Sequence, residues 1–129
     1  MFYAAADRGD RSNARAKEVL SAGDRLLTSD HVLVEVWFLI AHRLGRGAAE
    51  RQWAAVRSGA AIVEPITAAD LEVAFSIGES FPDQGFSIVD RTSFAVMQRL
   101  GIFQAATFDH HFAVFRFGPN RGRAFDIVR

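Results

Sequence analysis

The sequence predicts an α/β fold, a three-layer α/β/α sandwich around a mainly parallel central sheet, and two patterns predict it. Short apolar runs rich in β-branched residues alternate with longer stretches of helix-forming residues, and those stretches are bracketed by capping residues and glycines. Strands that recur with a helix between them lie parallel and are joined by right-handed crossovers.

The elements follow in order. Ser12 to Gly23 (SNARAKEVLSAG) offers a Ser N-cap, good helix formers and a terminating Gly, hence one short helix. Arg25 to Thr28 (RLLT) is a brief strand. Ser29 or Asp30 then caps a helix that runs to about Leu44, where Gly45 stops it, and another covers Ala48 to about Arg57 before a turn at Gly59. Ala61 to Ile66 (AIVEPI) is short and β-branched, hence a strand, and Thr67 caps a helix to about Glu79, with Pro82 breaking the chain beyond it. Ser87 and Asp90 have the spacing of a capping box, opening a helix through Met97 to Leu100 that Gly101 closes. Phe103 to Phe108 is strand-like, Asp109 to Phe112 a turn, and Ala124 to Val128 a last strand.

No repeat or low-complexity linker divides the 129 residues, so a single domain over 1–129 is expected. Half of the residues are hydrophobic, which excludes the composition of a disordered chain. Fifteen bases balance fifteen acids, so nucleic-acid binding must come from a local patch and not from net charge. All of the bases but Lys17 are Arg; that suits bidentate phosphate contacts, and GC-rich coding produces the same bias. The absence of Cys removes disulfide and thiolate chemistry and fits a reducing cytoplasm. The longest strongly apolar stretch, Val32 to Ala41, is interrupted by Glu35 and is well short of the roughly 20 residues that span a bilayer. The first residues also lack the pattern of a secretory signal, so a soluble cytoplasmic protein without a membrane partner is expected.

Three acids occupy places where acids cost energy. Glu35 sits inside HVLVEVWFLIA, with His31, Val32, Phe38 and Leu39 at helical spacing and no Arg or Lys for a local pair. Burial among those side chains costs several kcal/mol, so Glu35 needs a cation, a hydrogen-bonding partner or a cleft; the alternative is an exposed position at the helix edge. Asp90, in the first turn of its predicted helix, complements the helix dipole without any further role. Asp109 follows the apolar run QAATF, at the carboxyl end of a strand, where a turn-forming Asp is common. Ligand crevices in such sheets lie beyond those strand ends, and the three acids could meet over one sheet edge. Carboxylates gathered there repel one another unless a cation joins them. Oxygen donors without Cys select a hard ion such as Mg²⁺.

The remaining polar residues have plainer readings. His110 and His111 lack the spacing and the companions of a zinc set, so solvent exposure or a phosphate contact is expected for both. Ser87 is an N-cap whose hydroxyl could also orient substrate or a metal-bound water. Asp7, Asp10 and Asp83 read as turn or helix-start acids. The tail interleaves Arg116, Arg121, Arg123 and Arg129 with Phe112, Phe115, Phe117 and Phe125; it could grip RNA, and a final β-ribbon with core Phe residues is the preferred reading.

TSDHVLVEVWFLI with Glu35, FSIVDRTSFAVMQRLGI with Asp90 and AATFDHHF with Asp109 resemble, in order and spacing, the PIN-domain ribonucleases, above all VapC-like toxins. FYAAADRGDRSNARA is similar to the segment just after that family's first motif. The resemblance covers nearly the whole chain and implies Mg²⁺ or Mn²⁺ and endonucleolytic cleavage of RNA by a metal-activated water. By the same resemblance Glu35, Asp90 and Asp109 are the second, third and fourth acids of the catalytic cluster, and Ser93 and Thr107 lie near it. The implied partners are RNA, a small antitoxin and a second copy of the chain. The family's opening strand, with its own acid, would stand immediately before the FYA segment and has no counterpart in this sequence, so the expectation is a late start codon or a truncated product. Such a chain has two sheet halves and weak or absent activity. The alternative function is a degenerate PIN-like domain that binds RNA or antitoxin without cutting. A nucleotide-binding module is disfavoured by the absence of GxGxxG and GxxxxGK[ST].

Overall fold

Short helix formers open the chain as α1 (Phe2–Ala6) and α2 (Asn13–Leu20) in the computed structural model, which describes residues 1–22 and 25–129. Helix α1 was not foreseen. Its last carbonyls have no intrahelical partners, and Asn13 supplies them, the Nδ2 donating to Ala4 O at 2.7 Å and Ala5 O at 3.0 Å. Ser12 holds the N-cap position of α2 but makes no side-chain capping bond; its own N–H donates to Asp10 Oδ1 at 2.7 Å. The expected stop at Gly23 lies outside the described residues.

Strand β1 (Leu27–Ser29) sits slightly later than RLLT suggests and leads directly into α3 (Asp30–Leu44). Ser29 caps α3 by accepting the Val32 N–H at 3.1 Å, and Gly45 ends it with φ 93°. Helix α4 (Arg46–Ala55) continues into a wider π-type turn at Val56–Ala60, where Gly59 takes φ 108°. Strand β2 (Ile62–Glu64) then pairs in parallel with β1, Leu27 opposite Ile62 and Ser29 opposite Glu64. These elements form one compact unit, Met1–Pro65, whose core of Val36, Ile40 and Ala49 is flanked by Phe2, Tyr3, Val32 and Leu44.

The second unit, Ile66–Arg129, is built around α5 (Ala68–Ser80) and α6 (Ile88–Leu100). Both begin with the reciprocal capping box that satisfies two orphan N–H groups at once, Thr67 with Asp70 and Ser87 with Asp90. Strand β3 (Gln104–Ala106) pairs in parallel with β4 (Asp126–Val128), while α7 (His111–Val114) replaces the second half of the turn expected over Asp109 to Phe112. The described strands thus form two parallel pairs, in keeping with the α/β class.

Phe residues make the core here. Phe94 is fully buried and stacks on Phe115 with ring centroids 4.3 Å apart, and Phe86, Phe117 and Phe125 close around them. The tail aromatics are therefore structural, as the ribbon reading has it, although its antiparallel pairing is a lone bridge between Phe117 and Arg123. The tail cations serve the rings: Arg121 lies 4.4 Å over Phe81 and Arg123 4.1 Å over Phe103. Arg116 Nη1 donates to the carbonyls of Ala113, Val114 and Phe115.

Two long-range contacts lock α5 to α6. Arg99 makes a fork to Asp70, Nε to Oδ1 at 2.9 Å and Nη2 to Oδ2 at 3.0 Å, with Asp70 only 2% exposed. Arg91 Nη1 donates to Ala74 O at 3.2 Å, and its guanidinium lies where a Cβ on Gly78 would stand, so a side chain there would displace Arg91. Gly101 closes α6 in the left-handed region at φ 66° with open space around it. Gly101→Ala should therefore cost about 1 kcal/mol through backbone strain alone, read from urea unfolding midpoints. No cost would mean that the turn relaxes. Among the described residues, no helix is long and apolar enough to cross a membrane.

Candidate active site

Asp90 and Asp109 come from different elements of the second unit, and one residue holds both. Asp90 lies in the first turn of α6 with its side chain 14% exposed, and its Oδ2 accepts the Ser87 N–H at 3.0 Å. The same oxygen accepts from His111 Nδ1 at 2.9 Å. Asp109 follows β3, where Thr107 Oγ1 accepts its N–H at 3.0 Å and turns the chain. Asp109 Oδ1 accepts the His111 backbone N–H at 2.9 Å and lies 3.5 Å from the same imidazole Nδ1. Asp90 and Asp109 thus flank one imidazole.

Each carboxylate commits one oxygen to its own placement and keeps the other. Among the described residues, Asp90 Oδ1 and Asp109 Oδ2 carry no hydrogen bond. One α6 turn beyond Asp90, Ser93 is 9% exposed, and its hydroxyl has no hydrogen-bond partner. A buried unpaired hydroxyl costs roughly 1–3 kcal/mol. Oriented but uncommitted carboxylate oxygens are what a hard divalent ion needs, so the residues present fit Mg²⁺ or Mn²⁺.

Glu35 belongs to the first unit, on α3, and of the two readings the structure bears out the exposed one. It is exposed, as are Val34 and Phe38 beside it at 53% and 65%. The desolvation penalty that made it suspicious in the sequence therefore does not act on it. Ser87 is the N-cap of α6, and Thr107 shapes the Asp109 turn.

The two His residues behave differently from one another. His110 is exposed as expected, its side chain 77% accessible, with Nδ1 3.7 Å from Asp109 Oδ1. His111 is 21% exposed, edge-on to Phe86 at 5.3 Å and bonded to Asp90, so the expectation of solvent exposure fails for it. Nor do the neighbouring side chains diverge: Asp109, His110 and His111 bring ligand atoms within 4.8 Å of one another. The α7 turn folds them together, and nothing local in the sequence signals it.

The pattern of the PIN domain matches residues 1–118. This chain belongs to the PIN-domain family. It is 38% identical over 114 residues to the 23S rRNA-specific endonuclease VapC20 of Mycobacterium tuberculosis, in both strain CDC 1551 / Oshkosh and strain H37Rv, covering 87% of each chain. The crystal structure of VapC20 from that organism, described as a sarcin–ricin loop cleaving toxin, superposes with a TM-score of 0.80 at 36% identity, again over 87% of each chain. The PIN fold expected from the three acidic motifs is thereby shown.

Proposed function

We propose that this chain is an endoribonuclease toxin that hydrolyses RNA phosphodiesters with Mg²⁺ or Mn²⁺ held by Glu35, Asp90 and Asp109. The observation that carries the reading is the arrangement of Asp90 and Asp109, each fixed through one oxygen and open at the other, in a chain related along most of its length to a ribosomal RNA endonuclease. When bound, the ion supplies a water of lowered pKa and neutralises charge on the phosphate. The residues do the placing: Asp90 and Asp109 present Oδ1 and Oδ2, Ser93 offers its unpaired hydroxyl toward a bound group, and exposed His110 contacts a phosphate. By the family resemblance Glu35, exposed on α3, is the further acid of the set.

The relationship to VapC20 points to 23S rRNA as substrate, and the partners in the proposal are a small antitoxin and a second copy of this chain. The test is primer extension on intact ribosomes treated with the purified protein. A discrete break in 23S rRNA that disappears with EDTA supports the reading; undirected degradation, or cutting indifferent to EDTA, contradicts it.

A further inference from the structure

We infer that His111 is the positioning residue of the site: it fixes Asp90 through its imidazole and Asp109 through its backbone N–H, so that each presents its second oxygen to the ion. The inference rests on the proposed metal-dependent reading and deepens it.

A carboxylate in the first turn of a helix rotates freely about its last torsion unless something holds it, because that terminal torsion is broad. Here Asp90 Oδ2 takes two donors, the Ser87 N–H at 3.0 Å and His111 Nδ1 at 2.9 Å. The backbone donor is part of a capping box that any first-turn acid could make. The imidazole is the specific one: it reaches across 21 residues of sequence and fixes the plane in which Oδ1 points. Donation from Nδ1 to a carboxylate sets the tautomer, with the hydrogen on Nδ1. The ring cannot swing away easily, since it lies edge-on to buried Phe86 at 86°.

The same residue ties down the second acid. Its N–H holds Asp109 Oδ1 at 2.9 Å, and its Nδ1 stands 3.5 Å from that oxygen. One residue therefore sets the spacing of two carboxylates that would otherwise repel one another. Partners that orient ligands in this way typically change metal affinity by 10–100-fold when removed.

The test uses His111→Phe, which keeps an aromatic edge against Phe86 and removes the donor, and His111→Asn, whose amide N–H can reach the same carboxylate. Mn²⁺ binding to the whole chain is measured by titration calorimetry, and thermal midpoints are measured in metal-free buffer. The expected result is Mn²⁺ affinity roughly 10–100-fold weaker in H111F, restored to within about fivefold in H111N, with metal-free midpoints of the two variants alike. Unchanged affinity in H111F overturns the inference while leaving the metal reading intact. Loss in both variants with no rescue overturns it as well, because a packing role then accounts for the effect. Failure of the unaltered chain to bind Mn²⁺ overturns the metal reading and this inference together.

Discussion

Asp90→Asn should abolish RNA cleavage, by about 100-fold or more, while leaving the fold in place. The substitution keeps an oxygen for the Ser87 N–H but removes the charge that an ion would require. A few kcal/mol of lost electrostatic stabilisation corresponds to at least two decades in rate. The structural cost is that of a weakened first-turn acid, about 0.5–1 kcal/mol. Rates on 23S rRNA together with circular dichroism separate the two effects. A folded D90N that cuts at the rate of the parent would remove Asp90 from the machinery; an unfolded one would make its role structural.

The largest effect on stability is expected at Asp70 and Arg99, which have no part in the proposed chemistry. Asp70 is 2% exposed and receives both prongs of the Arg99 guanidinium, so Arg99→Met leaves a buried carboxylate held by the Thr67 N–H of the capping box. Removing one partner of a buried pair costs 3–5 kcal/mol; since the Arg99 side chain is 33% exposed, about 3 kcal/mol is expected here, or roughly 10 °C in Tm. Arg99 beside it holds the Asp70 carboxyl below the usual carboxylate range, its burial opposing and the Thr67 bonds assisting. A group depressed in the folded state stabilises above its unfolded value, near pH 4, and that contribution is lost as pH falls through the folded value. Urea midpoints of the parent and Asp70→Asn should therefore differ most at neutral pH and converge below about pH 4. A difference that grows on acidification contradicts the assignment.

What the sequence made legible was local. The Ser87–Asp90 capping box, the Thr67 cap and the stops at Gly45 and Gly101 each follow from a few adjacent residues, and each is present. The strands were located but drawn too long, because β-branched composition marks a strand without marking where its ladder ends. The Asp70–Arg99 fork spans 29 residues and the His111–Asp90 bond 21, and neither has a local signature. Glu35 was singled out on the premise that apolar neighbours along a helix imply burial, yet Val34 and Phe38 beside it are themselves exposed. The acidic motifs still gave the family, because their order and spacing carry information that no single residue does.

The central claim is that Asp90 and Asp109 share one divalent ion. A crystal of the protein grown with Mn²⁺, with data collected at the manganese edge, tests this directly. The expected result is an anomalous peak bound by Asp90 Oδ1 or Asp109 Oδ2 at about 2.1 Å. A peak elsewhere in the molecule, or none at a concentration that supports cleavage, would contradict it.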